Sequence, residues 1–169
     1  MIVGEKVILR TWSENDLPAL QLMRNNIRLQ RQLMTQTRGN SHDQVKDWLA
    51  TRTKSTDGLF FVIACKSSDQ AAGYIQVMGM DILNGSGRLG ICVAAEFQGN
   101  GYGGEAITLL EDYLRNVFRF RKLTLEVLRD NGIAIGMYSK YGYVESGCLR
   151  EHYHTGAGYV DVVIMEKFI

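Results

Sequence analysis

The sequence predicts a mixed α/β (α+β) fold in a single domain over residues 1–169. Segments with alternating apolar residues are interspersed with segments whose apolar residues recur at helical spacing. A length of 169 residues is enough for one domain with a substantial core but short for two. No repeat, linker or low-complexity stretch divides the sequence. We therefore expect about seven strands and about four helices in one unit.

The first third of the chain predicts one strand followed by two helices. Residues 7–12 have the pattern of a strand, and Ser13 with Asp16 then forms a capping box. Ser41 with Gln44 forms a second capping box before the next helix. Helical spacing places these apolar residues on the buried faces of the two helices: Leu17, Leu20, Met23 and Ile27, then Val45, Trp48 and Leu49.

The rest of the chain alternates between predicted strands and helices. Residues 59–65 and 72–80 are two apolar strands joined by turn residues, which predicts a hairpin. Further strands are predicted at 88–94, 123–127, 143–149 and 159–168, and further helices at 102–116 and 131–140. The first of these helices has a long apolar stripe: Tyr102, Ala106, Leu109, Leu110, Tyr113 and Val117.

A glycine-dense turn joins the strand at 88–94 to the long helix. The turn contains Gly99, Gly101, Gly103 and Gly104. The first N–H groups of a helix have no partner within it, and the helix dipole favours negative charge at this end. Glycine lets a bulky anion approach the main chain closely. The segment therefore predicts a phosphate-binding turn.

Two nucleotide-binding interpretations of this turn are rejected. Gly99, Gly101 and Gly104 satisfy the dinucleotide pattern G-x-G-x-x-G, and Glu126 follows at about 20 residues, where a ribose-binding acid is expected. However, only 65 residues remain after Gly104, too few for repeated βαβ units, and Glu126 lies inside a strand pattern. A Walker loop is excluded because no Gly-Lys-Ser/Thr follows.

A second motif supports another interpretation. Gln98-x-x-Gly101-x-Gly103 is followed downstream by an Asn, an Ala and a Tyr on one helix, then by an aromatic-Gly-aromatic turn. The residues of this second motif are Asn131, Ala134, Tyr138, Tyr141, Gly142 and Tyr143. Together they resemble the GNAT superfamily of N-acetyltransferases over nearly the whole chain, in the branch of ribosomal-protein N-terminal, spermidine and nucleotide-aminosugar acetyltransferases. The resemblance implies a central, mixed, mostly antiparallel sheet.

The resemblance also implies how acetyl-CoA, the acyl donor, is bound. Main-chain groups of Ile91, Cys92 and Val93 would pair with the pantetheine arm, and Asn131 would hydrogen-bond its amide. Tyr138 would stand near the thioester sulfur as the general acid. The pyrophosphate would bind residues of the turn: Gln98, Gly99, Asn100, Gly101, Tyr102, Gly103 and Gly104. Many members of the family carry a basic residue where this chain has Asn100, which removes one charge-assisted contact.

No general base is evident in the sequence. Some relatives have an acidic residue on the strand before the turn, where this chain has Leu89 and Gly90. Glu126 and His152 are the alternatives, and an acceptor amine of low pKa needs no base. His152 and His154 share a strand face, but two histidines without a third ligand do not indicate a metal site, and we expect none.

The acceptor is predicted to lie over the first helices. Arg24, Arg28, Arg31 and Arg38 occur in a segment without Asp or Glu. They form either a solvated helix end or a site for an anionic acceptor, with Arg24 and Arg31 as the candidate residues. An anionic site suits an amino group on a nucleotide-linked sugar and suits a polyamine badly. Acetylation of a protein N-terminus remains an alternative.

The composition of the chain limits which other classes of partner it is expected to bind. The net charge of +1 and the lack of a long apolar run predict binding neither to nucleic acid nor to a membrane. No signal-peptide pattern is present, so we expect a cytoplasmic protein with a small-molecule or peptide amine as acceptor. Three widely spaced cysteines predict no disulfide framework. A non-catalytic acyl-CoA-binding module and a homodimer both remain open.

Overall fold

An eight-stranded sheet organises the chain in a computed structural model that describes residues 1–36 and 38–169. The strands are β1 (Ile2–Val3), β2 (Val7–Arg10), β3 (Leu59–Cys65), β4 (Ala71–Asp81), β5 (Ser86–Val93), β6 (Lys122–Leu128), β7 (Val144–His154) and β8 (Tyr159–Phe168). Their order across the sheet is β1-β2-β3-β4-β5-β6-β8-β7. The predicted mixed, mostly antiparallel sheet is confirmed, and the strand beyond the expected seven is the two-residue β1.

Five α-helices flank this sheet in the described part of the chain. They are α1 (Leu17–Asn25), α2 (Ile27–Gln32), α3 (His42–Lys54), α4 (Tyr102–Phe118) and α5 (Gly132–Lys140). Short 3-10 helices precede α1 at Glu14–Asp16 and α4 at Ala95–Phe97. The helix beyond the expected four is α2, which arises from a break in the predicted first helix.

The sheet opens between β5 and β6. These two strands are parallel, and they pair only where Ser86–Arg88 face Lys122–Thr124. On its other side β5 pairs with β4 as far as Val93. Within the described chain, residues 89–93 of β5 therefore have no strand partner on the β6 side. A row of main-chain donors and acceptors is left available in this gap.

Two hydrophobic cores lie on opposite faces of the sheet. On one face, α4 and α5 pack against the middle strands through Ala106, Ile107, Leu110, Leu114 and Tyr138. On the other face, α1, α2 and α3 pack through Leu17, Leu20, Met23, Leu29, Val45 and Leu49. Alternate residues of β4 and β5 enter alternate cores, so Tyr74 and Cys92 face α1 to α3.

Both predicted capping boxes are present. The Asp16 carboxylate accepts from the Ser13 N–H at 2.7 Å, and Ser41 with Gln44 caps α3 in the same way. Asp16 also anchors the first strand, because the Arg10 guanidinium donates to both of its oxygens at 2.8 and 2.9 Å. The exposed Asp69 binds the same guanidinium at 2.7 Å.

Several predicted details are wrong. Ile27 is 74% exposed because the chain is extended at Asn26, where the side chain accepts from the Leu29 N–H and starts a new helix. Val117 is exposed near the end of α4, where the apolar stripe turns away from the core. The strand predicted over residues 7–12 is β2 and ends at Arg10, and β7 extends past its predicted end to His154 through two register shifts.

Candidate active site

The glycine-dense turn places a set of unpaired N–H groups at the start of α4. Gly99 and Gly101 have φ of 81° and 82°, a left-handed conformation that glycine adopts without steric penalty. Gly101 is the N-cap residue of α4. The first helical hydrogen bond is donated by the Glu105 N–H to the Gly101 carbonyl at 3.1 Å. The N–H groups of residues 101–104 have no acceptor among the described residues. The turn can therefore hold an oxyanion.

The two sequence motifs meet at this turn. The Tyr141 ring lies directly against Gly104, in the space that a β-carbon at position 104 would occupy. A β-carbon at Gly103 would lie 3.3 Å from Met137 Sδ and 3.5 Å from Val93 Cγ2. The start of α4 thus packs against α5 and the end of β5 at once. This contact explains why the sequence carries both motifs.

Side chains from outside the turn hold it in place. Gln98 Nε2 donates to the Val93 carbonyl at 2.9 Å, which ties the turn to the end of β5. Lys6 Nζ donates to the Asn100 carbonyl at 3.2 Å, and the Glu105 carboxylate accepts from the N–H groups of Glu5 and Lys6. Lys6 brings a cation to the turn, although Asn100 is neutral. Lys6 and Asn100 are 94 residues apart in the sequence, so no local pattern could indicate this contact.

Tyr102, the first residue of α4, joins the turn to β3. Its ring stacks on Phe97 with centroids 6.0 Å apart, and its hydroxyl lies 3.3 Å from Cys65 Sγ. Hydrogen bonds from Ser67 and Tyr102 lower the pKa of the Cys65 thiol to about 6. Burial instead raises the pKa of Cys92 to about 12, so this thiol stays protonated at neutral pH. Cys92 therefore contributes main-chain groups and volume to the site.

Ile91, Cys92 and Val93 lie on the unpaired edge of β5. Their other edge is bonded to β4, where they face Ile75, Tyr74 and Gly73. A bound chain with amide groups can add to the free edge as an extra strand would. The predicted pantetheine-binding residues are therefore next to the predicted pyrophosphate-binding turn.

Asn131 and Tyr138 come from the beginning and the last turn of α5. Asn131 Oδ1 accepts from the Ala134 N–H at 3.2 Å and caps the helix, which leaves the amide nitrogen free of described partners. Tyr138 is 7% exposed, and its ring meets that of Tyr143 edge-on with centroids 5.8 Å apart. Burial raises the pKa of Tyr138, so the phenol is neutral at physiological pH.

A buried polar cluster lies behind Tyr138. Glu111 of α4 is 3% exposed, and its carboxylate is 2.5 Å from Lys167 Nζ of β8. The Tyr143 hydroxyl is buried without a described partner. Its pKa is raised, chiefly by burial and secondly by the nearby Glu111 carboxylate. This cluster joins α4, the turn after α5 and β8 around the Tyr138 ring.

The two candidate general bases, Glu126 and His152, lie on different strands. Glu126 projects from β6 on the face opposite α4, and it is paired with Arg88 at 3.3 Å. His152 is exposed on the edge strand β7, with β8 between that strand and β6. His154 packs against the Tyr159 ring instead of joining His152. Residues 1–36 and 38–169 contain no group of three possible metal ligands.

The two candidate acceptor-binding arginines have different surroundings. Arg31 is exposed and paired with Asp130 at 3.2 Å, just before Asn131. Arg24 lies over the Trp48 ring, with its guanidinium carbon 4.4 Å from the centroid, and its buried Nε has no described partner. Sequence reasoning missed the groups that act on Arg24, because they come from other elements: Arg52, Tyr74 and Cys92.

The family model for the Acetyltransferase (GNAT) domain matches residues 6–144 of this chain. That range contains the turn before α4, the unpaired edge of β5 and the whole of α5. Among the described residues, every helix is too short or too polar to cross a membrane.

The chain is similar to curated bacterial acetyltransferases. It is 27% identical to spermidine N(1)-acetyltransferase from Vibrio cholerae serotype O1 over 57% of this chain and 58% of that protein. It is 28% identical to the enzyme of that name from Escherichia coli strain K12, over 62% and 55%. The matched segment thus spans little more than half the length of these relatives.

Among solved structures, the chain resembles spermidine N-acetyltransferase from Vibrio cholerae in complex with CoA and spermine. The TM-score is 0.89, with 22% identity over 98% of this chain and 96% of that chain. At this identity the likeness shows a shared fold.

Proposed function

The chain belongs to the GNAT acetyltransferase family, and we propose that it transfers the acetyl group of acetyl-CoA to a primary amine. One observation carries the proposal: four unpaired N–H groups at residues 101–104 lie beside the unpaired edge of β5 at residues 89–93. A ligand with a pyrophosphate and an amide-containing arm matches both features. CoA is such a ligand.

Each part of the donor has a binding element in this arrangement. The N–H groups at the start of α4 would hold the pyrophosphate, with Lys6 supplying a nearby positive charge. The main chain of Ile91, Cys92 and Val93 would pair with the pantetheine arm. The free amide nitrogen of Asn131 would donate to a pantetheine carbonyl. Acetyl-CoA supplies an activated thioester, and the amine displaces the thiolate in a direct attack.

Tyr138 is proposed as the proton donor to the leaving sulfur. Its buried phenol is neutral at physiological pH, so a proton is available. The same burial makes it a weak acid, so transfer depends on the negative charge that develops on sulfur within the same dry environment. The edge-on contact with the Tyr143 ring would hold the Tyr138 ring in place.

The acceptor must present a neutral amine. An amine with a pKa near 10.4 is only about 0.04% neutral at pH 7, whereas one near 8 is roughly 10% neutral. Glu126 is proposed to act through water, because Arg88 already binds its carboxylate. His152 is less suited, since it lies on the exposed edge strand.

For the acceptor we propose a small-molecule amine, with an amino group on a nucleotide-linked sugar as the first candidate. Similarity to spermidine N(1)-acetyltransferases favours a polyamine as the second candidate. A protein N-terminus is the remaining alternative. The arginine environment described above favours the first candidate, because no carboxylate is among the groups that shift the pKa of Arg24.

Two measurements test the proposed function. Calorimetry should show saturable binding of CoA and none of NAD or ATP, since the latter two lack the amide-containing arm for β5. A thiol-release assay with acetyl-CoA and a panel of aminosugar nucleotides, polyamines and N-terminal peptides should then reveal turnover. CoA binding without turnover of any amine would indicate a non-catalytic acyl-CoA-binding module. Binding of NAD or ATP in place of CoA would overturn the proposal.

Tyr138→Phe tests the proposed acid. The hydroxyl has no hydrogen bond that contributes to its pKa, so its removal should leave the fold intact. Turnover should fall about tenfold or more, with the Kd of CoA unchanged. Tyr159→Phe, at an exposed tyrosine on β8, is the matched control and should keep full activity. Unchanged turnover of Tyr138→Phe would exclude the acid role.

A further inference from the structure

We propose that the acceptor carries an oxyanion, a phosphate or a carboxylate, and that this group binds the guanidinium of Arg24. The inference rests on the proposed acetyl transfer to an amine and names the class of amine. A nucleotide-linked amino sugar belongs to this class, whereas a polyamine does not. The supporting observations concern the surroundings of Arg24 and the position of those surroundings relative to β5.

Arg24 is a partly buried cation without a hydrogen-bond acceptor. Its Nε is fully buried, and no described residue accepts from it. The face of Trp48 stabilises the guanidinium charge at 4.4 Å but leaves the N–H groups in the guanidinium plane unpaired. A buried N–H donor without a partner destabilises a fold, so the unpaired Nε of Arg24 indicates a place for an acceptor that the described residues do not supply.

The electrostatic environment of Arg24 is positive. Burial is the largest cause that lowers its pKa, and the neighbouring Arg52 of α3 lowers it further. The groups that oppose this effect are Tyr74 and Cys92, and burial keeps both protonated. Two cations thus lie close together with no carboxylate among the groups that act on Arg24. An oxyanion would relieve their repulsion and accept from the guanidinium.

A second unpaired group lies on the same face of the sheet. Gln76 Oε1 is buried without a described partner. Gln76 faces Gly90 on β5, two residues along from the pair formed by Tyr74 and Cys92. An amine or hydroxyl of the acceptor can donate to this oxygen. The face therefore offers a donor for an anion at Arg24 and an acceptor for an N–H or O–H group at Gln76.

This face adjoins the proposed site of the thioester. Gly90 and Cys92 belong to the stretch of β5 that has no partner on the β6 side. The turn for the pyrophosphate begins α4, which packs on the opposite face. An acceptor bound on this face would therefore approach the gap between β5 and β6 from the side away from α4.

The same surroundings disfavour a polycation. A second ammonium group placed beside Arg24 and Arg52 would meet like charge in a partly dry site. Arg31 offers no such selection, because Asp130 neutralises it. Arg24 is therefore proposed as the residue that determines the charge of the acceptor.

Matched amines of increasing chain length test the inference. The series are ω-aminoalkyl phosphates, ω-amino acids, amino alcohols and diamines, assayed by thiol release with acetyl-CoA. The phosphate or the carboxylate series should give kcat/KM about tenfold or more above that of the amino alcohols, and diamines should be poorest. The better of the two anionic series identifies the oxyanion. Equal rates for charged and neutral amines, or a preference for diamines, would overturn the inference.

Arg24→Gln keeps a planar, hydrogen-bonding side chain and removes the charge. This variant should lose the preference for anionic amines, through a raised acceptor KM, while the KM of acetyl-CoA stays unchanged. Arg115→Gln, whose arginine is exposed on α4 and paired with Asp112, is the control and should keep the preference. An equal effect of Arg24→Gln on all amines would contradict the assignment.

Calorimetry with the aminoalkyl phosphates in the presence of CoA measures anion binding without turnover. Binding to the wild type and not to Arg24→Gln supports the inference even if no amine is acetylated. The absence of acetylation would refute only the proposed function. Equal binding by both proteins, or by neither, counts against the inference.

Discussion

The proposed donor side and the proposed acceptor side of this molecule use different kinds of chemical group. The donor side consists mainly of main-chain groups, at the start of α4 and along the unpaired edge of β5. The acceptor side consists of side chains from α1, α3 and β4, grouped around Arg24. Main-chain N–H and C=O groups do not titrate and persist when a side chain is substituted, whereas the groups of a side chain are lost with its substitution. One face of the sheet can therefore keep its ligand while the other changes specificity.

The contrast begins with how the two sides are held. On the donor side, glycines permit close contacts between backbones and between backbone and ring. On the face of the sheet that carries α1, charged side chains tie the start of α1 to β2, as in the pair between Arg10 and Asp16. Substitutions should therefore damage the donor side through steric contact and the acceptor side through lost charge.

The largest effect is expected for Gly73→Ala on the donor side. A β-carbon at Gly73 would run into the main-chain carbonyl of Cys92, which cannot swing away as a side chain can. Strands β4 and β5 would have to separate where β5 offers its unpaired edge. We expect a loss of about 3 kcal/mol or more in the free energy of unfolding, measured by denaturant titration, and weaker CoA binding.

Gly136→Ala is the matched control for this substitution. Gly136 lies inside α5, and a β-carbon there meets no atom within 4 Å. The change should raise stability by about 0.5–1 kcal/mol, because alanine favours the helix. If Gly73→Ala were as stable as Gly136→Ala, the main-chain contact would not limit the position of β5.

An intermediate effect is expected for Asp16→Asn on the acceptor side. Burial opposes ionisation of Asp16 most strongly, yet hydrogen bonds from Arg10 and Ser13 outweigh it and hold its pKa below the usual range. The substitution leaves the Arg10 charge without its buried partner. We expect a loss of about 2 kcal/mol in the free energy of unfolding at pH 7, and a raised acceptor KM, since Asp16 precedes α1.

The pH dependence of this loss identifies its cause. A depressed pKa in the folded protein contributes stability that is fully present above the unfolded pKa of about 3.9 and is lost as pH falls through the folded pKa. The difference between wild type and Asp16→Asn should therefore shrink below about pH 4. Asp69→Asn, at the exposed partner of Arg10, should cost less than about 1 kcal/mol. A difference that stays constant through acid pH would rule out the ionised carboxylate as the source.

Much of the fold could be predicted from the sequence because local patterns determine it. The spacing of apolar residues and the two capping boxes located the four longer helices and seven of the eight strands. The exposure of Ile27 could not be predicted, because the helical spacing continues past Asn26 while the backbone does not. Local spacing shows which side chains share a helical face, but a capping side chain can end the helix within that pattern.

The two sides of the site differed in how far sequence could predict them. The turn before α4 is one contiguous segment, so its glycines indicated a phosphate site directly. Lys6 joins that turn from a distant part of the chain and could not be found by spacing. The surroundings of Arg24 depend on the register that places Tyr74 opposite Cys92, and on α3 packing beside α1. Those contacts appear only when the sheet is assembled.

The smallest effect on stability is expected for Asn131, where structural and ligand-binding roles can be separated. Asn131→Ala removes the cap of α5 and should cost about 1 kcal/mol. Asn131→Asp keeps an oxygen for the Ala134 N–H and should cost only a few tenths of that amount. Both substitutions remove the amide donor proposed for pantetheine, so both should lower kcat/KM for acetyl-CoA by about three- to tenfold. Denaturant titration and steady-state kinetics on the two variants measure these effects.

The comparison of the two variants decides whether the Asn131 side chain binds the pantetheine arm. If Asn131→Asp has the kinetics of the wild type, the amide binds no ligand and Asn131 serves only as a cap. If both variants lose activity while only Asn131→Ala loses stability, the free amide nitrogen acts on the pantetheine arm. The donor side would then combine a main-chain site with one side chain whose position its own cap fixes.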